Sequence, residues 1–444
     1  MKRWSKGYEA LRTYVRFAFW LTHKRIVVVG RELIPKDVPV IFAANHQNAL
    51  MDPLAISCTN PLQTLWLARA DIFKSKLARP ALKFMKMVPI YRIRDGKENL
   101  TNNELIFDQV TEVLENKDSV ALFPEAAHSG KRQMLQHKKA IPRIALEAED
   151  KNNFQLGLQI VPVGIYYDHY WRFNRTLVVE YGQPIGIGGY QRRYAENPQN
   201  AMITLRDEIH EKLEPLTLQI NSKELYKDYE DIRMVSGEEY SHYKFFSKNA
   251  TLQQLWADKE LIAKIEKMEV DQFESFDQLR RKTIAYVEGL KAAGFKNHQL
   301  VKANHTSFAK LLLQFGFAIL TLPLLVFGIL FNFIPYYFPR VVLTRKVKDP
   351  AFLSTFIFVS GLVLFPLFYI LECVLTGLLS GLPWLGFGIL FFLPFAGKAA
   401  FNLLEFDYNL IQVIRLKSFF RVTFQKLNKL RSNILEFVVK NLAH

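Results

Sequence analysis

Nearly all the long apolar runs of this chain lie after residue 310, and they constrain its fold more than any other feature. Leu311 to Phe338 carries no charged residue, Phe352 to Leu371 is equally clean, and Leu382 to Leu404 holds only Lys398. Each is near or above the roughly 20 residues that cross a hydrocarbon core, and a soluble helix is seldom apolar all round for so long. The sequence therefore predicts a membrane-embedded region over 311–404 and a multi-pass membrane protein. The competing reading is a very hydrophobic soluble helical domain.

The first run is broken by Pro323, Asn332 and Pro335. Prolines free backbone groups that lipid cannot satisfy, so a bent span or a re-entrant hairpin is expected there. The loop after it carries Arg340, Arg345, Lys346 and Lys348 against Asp349, and the tail from Arg415 onward holds seven Lys or Arg against Glu436. The positive-inside rule assigns both to the cytoplasm. With the N-terminal part on the same side, the first run returns to its starting face; three plain crossings are the alternative.

Length and composition narrow the rest. A chain of 444 residues is about three typical domain lengths, and its 50% hydrophobic content excludes a largely disordered protein. Two cysteines, Cys58 and Cys373, exclude a disulfide scaffold or a cysteine-rich zinc protein. The net charge of +16 favours anionic partners, for which nucleic acid and an acidic lipid surface both qualify. The apolar runs decide for the lipid bilayer and against nucleic acid.

Ahead of these runs the pattern changes twice. Residues 1–24 read as a basic amphipathic helix, with Tyr14, Phe17, Trp20 and Leu21 among Arg12 and Arg16. Such a helix lies in the lipid interface or packs on its own domain's core. From 25 to 215 short apolar runs alternate with amphipathic stretches. Arg25 to Gly30, Pro39 to Ala44, Thr64 to Ala68, Val88 to Tyr91, Ser119 to Phe123 and Gln159 to Val163 read as strands. Leu77 to Met87, Asn99 to Glu115 and His137 to Glu149 read as helices. That alternation predicts an α/β domain with a mainly parallel sheet and its chemistry at the strand ends. Residues 216–310, rich in both charges, read as an α-helical connector, and 405–444 as a basic amphipathic tail.

The strongest chemical signal directly follows a predicted strand: Asn45-His46-Gln47-Asn48-Ala49-Leu50-Met51-Asp52-Pro53. A neutral histidine accepts a proton from an alcohol, and a carboxylate on its second nitrogen fixes the tautomer and stabilises the imidazolium. Asp52 followed by Pro53 is equally an ordinary helix start. Three further blocks stand after or in predicted strands: Val88 to Arg92, Phe123-Pro-Glu-Ala-Ala-His-Ser129, and Val161-Pro-Val-Gly164.

In this order and spacing the four blocks resemble those of the glycerophospholipid acyltransferase family, whose members include glycerol-3-phosphate and lysophosphatidic acid acyltransferases. The resemblance spans roughly residues 25–215. It implies an α/β acyltransferase domain in which His46 is the general base and Asp52 its orienting partner. Arg92 and Glu125 are implied in holding the glycerol phosphate, and Val161-Pro162 in walling the acyl or substrate site. A guanidinium suits phosphate because it offers a planar fork of donors. Glu125 repels phosphate, so glycerol hydroxyls or the orientation of Arg92 are its expected partners.

Five residues separate His46 from Asp52 where many members have four, a spacing that resembles the yeast-type glycerol-3-phosphate acyltransferases. Ala126 replaces the glycine of the usual F-P-E-G, and Met87 stands about where the second block often has a glycine. A methyl group at such a position narrows the approach of a ligand to the backbone. His128 and His137 are further candidates for phosphate contacts, against the reading of surface histidines in a basic loop, and Lys131, Arg132, Lys138 and Lys139 for attracting an anionic donor or lipid, against that of a solvated helix face.

The resemblance implies a membrane-bound O-acyltransferase without a cofactor. It would move an acyl group from acyl-CoA or acyl carrier protein to glycerol-3-phosphate or 1-acylglycerol-3-phosphate, with its catalytic domain facing the cytoplasm. Another lysophospholipid or aminolipid acceptor, or a non-catalytic membrane scaffold on the same domain, are the alternatives.

Overall fold

The computed structural model describes residues 5–74, 76, 78–91, 102–244, 249–347 and 352–442. It contains two compact units, one of Met1–Leu218 with Val347–Phe356 and one of Gln219–Lys346 with Ile357–His444.

The first unit opens with helix α1 (Lys6–Thr22), capped by the Ser5 hydroxyl, which accepts the Tyr8 N–H at 3.2 Å. One face of α1 packs inward: Phe19 is fully buried, and buried Arg12 donates to the Leu62 carbonyl at 2.6 Å. Arg12 therefore ties the helix to its own domain. Tyr14, Phe17 and Trp20 remain exposed on the opposite side.

Alternation follows, through β1 (His23–Val29), β2 (Val40–Ala44), α2 (Met51–Thr59), β3 (Leu65–Arg69), α3 (Ala78–Phe84) and β4 (Met87–Ile90). It continues through α4 (Asn102–Glu115), β5 (Ser119–Leu122), α5 (Ala140–Lys151), β6 (Gln159–Tyr167), β7 (Arg175–Tyr181), β8 (Ile185–Gly186), α6 (Gln191–Glu196) and α7 (Pro198–Leu213). The strands form one sheet in the order β1-β7-β6-β2-β5-β3-β4, with β8 on β6. All pairings are parallel except those of β6 with β7 and β8. The fold is thus a mostly parallel α/β sheet, as the alternation predicts. β2 and β5 are buried along their whole length, as expected of strands covered on both faces. Ile41, Val120, Ile144, Leu146, Ile160 and Leu205 belong to the core that closes one face.

Two features of β6 bear on the fourth block. Val161 and Pro162 are buried inside the strand, paired with Phe42 and Ala43. A Cβ on Gly164 would come 2.3 Å from the Leu216 carbonyl oxygen, which requires glycine where the chain crosses the strand.

The second unit is helical. Helices α8 (Tyr226–Lys244), α9 (Ala250–Asp271), α10 (Phe273–Ala293) and α11 (Asn297–Asn304) precede three long apolar helices: α12 (Phe308–Phe338), α13 (Leu353–Ser380) and α14 (Pro383–Lys417). Among the described residues these three are long and apolar enough to cross a membrane. α12 runs unbroken for 31 residues, about 46 Å, with Pro323 and Pro335 inside it. A hairpin within this run is therefore not formed. A proline loses one backbone bond, whereas reversing the chain in lipid would strand several.

α12 and α14 approach closely through small residues, a Cβ on Gly328 falling 2.5 Å from Ala396–Ala400 partners such as the Ala400 Cβ. Asn332 between them donates to the Gly328 carbonyl and accepts from the Tyr369 hydroxyl at 2.6 Å, so its amide is satisfied inside the bundle. The tail becomes α15 (Arg421–Leu442), which buries Leu427, Ile434 and Val438. Its Arg431 is buried as well, pairs with Glu239 and donates to the Val235 carbonyl.

Candidate active site

The parallel strands β2, β3, β4 and β5 all end at one edge of the sheet, where open α/β sheets carry their sites. β2 delivers Asn45 first. Its pairing with β6 ends at Ala44–Val163, and the Asn45 side chain continues it. Nδ2 donates to the Ile165 carbonyl at 3.0 Å, and Oδ1 accepts the Ile165 N–H at 2.7 Å. The buried amide thus substitutes for one more rung of the ladder and aims the following residue.

That residue is His46. Its Nδ1 lies 2.9 Å from Asp52 Oδ2, and the same oxygen accepts the backbone N–H groups of Gln47 and Asn48, both at 2.7 Å. Asp52 is fully buried in the first turn of α2. The carboxylate can only accept, so it selects the tautomer with hydrogen on Nδ1 and leaves Nε2 to receive a proton. The His46 ring stacks on Phe123, centroids 3.9 Å apart and planes 10° apart, and meets His128 edge-on at 5.6 Å. The side chain keeps 15% exposure, enough for a substrate to reach it.

Glu125 reaches back to the main chain of the histidine loop. It is 2% exposed; Oε1 accepts the His46 N–H and Oε2 the Leu135 N–H, each at 2.8 Å. The carboxyl therefore clamps the backbone that carries the imidazole. Burial pushes its pKa up to about 8, against the pull of the two amides and with nearby Asp52 adding to the rise. Ser129 completes the joint by donating its N–H to the His46 carbonyl at 3.3 Å. Arg92 lies outside the described residues, two positions past the end of β4.

Arg132 is buried, donates to the Tyr167 and Asp168 carbonyls at 3.0 and 3.2 Å, and stands over the Tyr166 ring at 4.9 Å. It holds the Tyr167–Asp168 backbone in place. His137 is also buried, facing His210 at 4.7 Å, and burial holds its pKa down to about 4, so it is neutral near pH 7. Phe123 and Asn45 shape the site, although in the sequence they read only as a strand end and a flanking residue. Tyr167 is likewise absent from the sequence reading; burial, and then the Asp52 carboxylate it faces, raise its hydroxyl well above the ordinary value.

Ala126 has φ +56°, in the left-handed region that a methyl-bearing residue occupies at a cost of about 1–2 kcal/mol. The usual glycine there is explained by backbone conformation. Ala126→Gly should stabilise the fold by about 1 kcal/mol, seen as a rise of roughly 2–4 °C in the thermal midpoint. An equal or lower midpoint would contradict this account.

This edge of the sheet carries an Asp-oriented histidine on one strand end and a glutamate clamp on the next. Residues 25–166 match the acyltransferase family model. The chain is 24% identical over 301 residues to glycerol-3-phosphate O-acyltransferase 2 of Saccharomyces cerevisiae, covering 64% of this chain and 39% of that protein. It is 25% identical over 333 residues to glycerol-3-phosphate O-acyltransferase 1 of the same yeast, covering 70% and 42%. It spans, then, about two fifths of the length of these yeast relatives. A 1-acyl-sn-glycerol-3-phosphate acyltransferase of Borreliella burgdorferi is 23% identical over 213 residues, 47% of this chain and 79% of its own. Among solved structures, the 1-acyl-sn-glycerophosphate acyltransferase of Thermotoga maritima matches 47% of this chain and 78% of its own, with 22% identity and a TM-score of 0.35.

Proposed function

We propose that this protein transfers a fatty acyl group from a thioester to a hydroxyl of glycerol-3-phosphate or 1-acylglycerol-3-phosphate. The single observation that carries the reading is the 2.9 Å contact of His46 Nδ1 with Asp52 Oδ2 at the end of β2. The acceptor oxygen attacks the thioester carbonyl while its proton passes to His46 Nε2. Collapse of the tetrahedral adduct breaks the carbon–sulfur bond, and the imidazolium returns the proton to the departing thiolate, leaving ester and thiol. Arg92 is proposed to hold the acceptor phosphate, with Glu125 acting through the His46 backbone. The named activities of the yeast and Borreliella relatives support both acceptors. Mass spectrometry of lipids formed by purified protein from each acceptor, with acyl-CoA or acylated carrier protein as donor, tests the reading. Ester product from one acceptor is expected, and none from either overturns it.

The same reading includes the cytoplasmic side of a membrane. Among the described residues no candidate span precedes Phe308, and the start of α13 belongs to the compact unit of the α/β domain. The second fact and the charge of the loop with Arg340, Arg345 and Lys346 favour the domain's cytoplasmic side for that loop, which requires the unbroken α12 to lie along or dip into that face instead of crossing. A cysteine introduced at Arg345, with Cys58 and Cys373 replaced, should stay unlabelled by an impermeant thiol reagent until cells are permeabilised. Labelling of intact cells would put this loop on the opposite face.

A further inference from the structure

The loop that carries His46 and Asp52 is held from outside by residues some three hundred positions away. Phe352–Phe356, the described part of the stretch that joins the α/β unit, bring the first turn of α13 onto it. Ser354 Oγ donates to Asn48 Oδ1 at 2.7 Å, and Thr355 Oγ1 accepts the Leu50 N–H at 3.3 Å. Phe352 meets His128 edge-on at 5.1 Å, and His128 in turn meets His46.

Each contact fills a need of the loop. Asn48 is fully buried, its Nδ2 committed to the Tyr170 carbonyl, so its Oδ1 requires a donor from elsewhere; Ser354, 8% exposed, supplies one. Leu50 is the cap residue of α2 and has no side-chain cap of its own, leaving its backbone N–H to Thr355. Between them Ala49 sits at φ +39°, a conformation that persists only where surrounding contacts impose it. The Asn48 N–H is also one of the three donors on Asp52 Oδ2, so a shift of Asn48 is passed to the carboxylate and on to the imidazole.

We propose that Ser354 and Thr355 are positioning residues for the His46–Asp52 pair, making the first turn of the second apolar helix a working part of the active site. The proposal rests on the role given to His46 above. Removing both hydroxyls should loosen the loop without touching substrate, and a misplaced base lowers turnover more than binding.

Full-length protein in lipid nanodiscs carrying Ser354→Ala with Thr355→Val should show kcat lowered about tenfold, with both KM values within about twofold of wild type. Thr355→Ser, which keeps the hydroxyl, should stay within about twofold on both parameters. Should the double variant aggregate, Thr355→Val alone carries the same test. His46→Ala measured alongside separates the two ideas. If it retains turnover, the role of His46 fails and the proposal with it; if it is inactive while the double variant keeps its kcat, only the proposal is overturned. Where wild type turns over neither acceptor, carbethoxylation of His46 followed by peptide mass spectrometry decides. A rate at least about threefold higher in the double variant supports the tether, and an equal rate removes it.

Discussion

Replacing His46 by alanine should lower acyl transfer by about 10²–10⁴-fold, the usual contribution of a positioned general base. The variant should nevertheless fold. Asp52 Oδ2 keeps the backbone donors of Gln47 and Asn48 when the imidazole is gone, and the Glu125 clamp grips the main chain of residue 46, which alanine retains. The lost stacking on Phe123 removes one partly exposed ring from a site at the sheet edge. Turnover of the variant, set beside its recovery in sedimented membranes and its thermal midpoint, reads the two effects apart. A rate within tenfold of wild type would show that another group takes the proton.

The second large effect is expected at Glu125. Glu125→Ala takes the acceptor from the N–H groups of His46 and Leu135, at up to about 1–3 kcal/mol for a donor that water does not reach. Set against a typical total stability of about 5–15 kcal/mol, that loss should lower the thermal midpoint markedly and take activity with it. Glu125→Gln is milder, since it keeps one acceptor but turns an NH₂ group toward an N–H.

The same carboxyl makes a prediction about pH. Burial raises its folded-state pKa to about 8, above its unfolded value, so the folded chain holds this proton more tightly. The associated stability is complete below the unfolded pKa and is lost as pH rises through about 8. The thermal midpoint of wild type, relative to that of Glu125→Gln, should therefore decline between about pH 5 and pH 8. A constant difference across that range would mean that the carboxyl is ionised throughout.

How much of this was legible in the sequence depends on how far apart the interacting groups are. The six strands read as short apolar runs between turn residues are all present, because each run reports its own burial in the sheet. β7 and β8 are absent from that reading. β7 follows a stretch of aromatic and basic residues, His169 to Phe173, and its partners β1 and β6 are set by the sheet, not by a neighbouring turn. His46 and Asp52 are six positions apart, so the start of α2 is enough to bring them together.

By itself the sequence determined three apolar runs long enough to cross a membrane, the alternation that builds a mostly parallel sheet, and the short-range pairing of a histidine with a carboxylate. These follow from periodicity, length and local spacing, all properties of neighbouring residues. Tertiary structure alone decided that Glu125 holds the backbone of His46 across 79 positions, and that buried Arg132 donates to the Tyr167 carbonyl across 35. It also brought Thr355 to Leu50 across 305 positions. A hydrogen bond between distant residues leaves no periodic trace in the chain, because its partners meet only after the sheet has assembled and excluded the water that each polar group would otherwise keep.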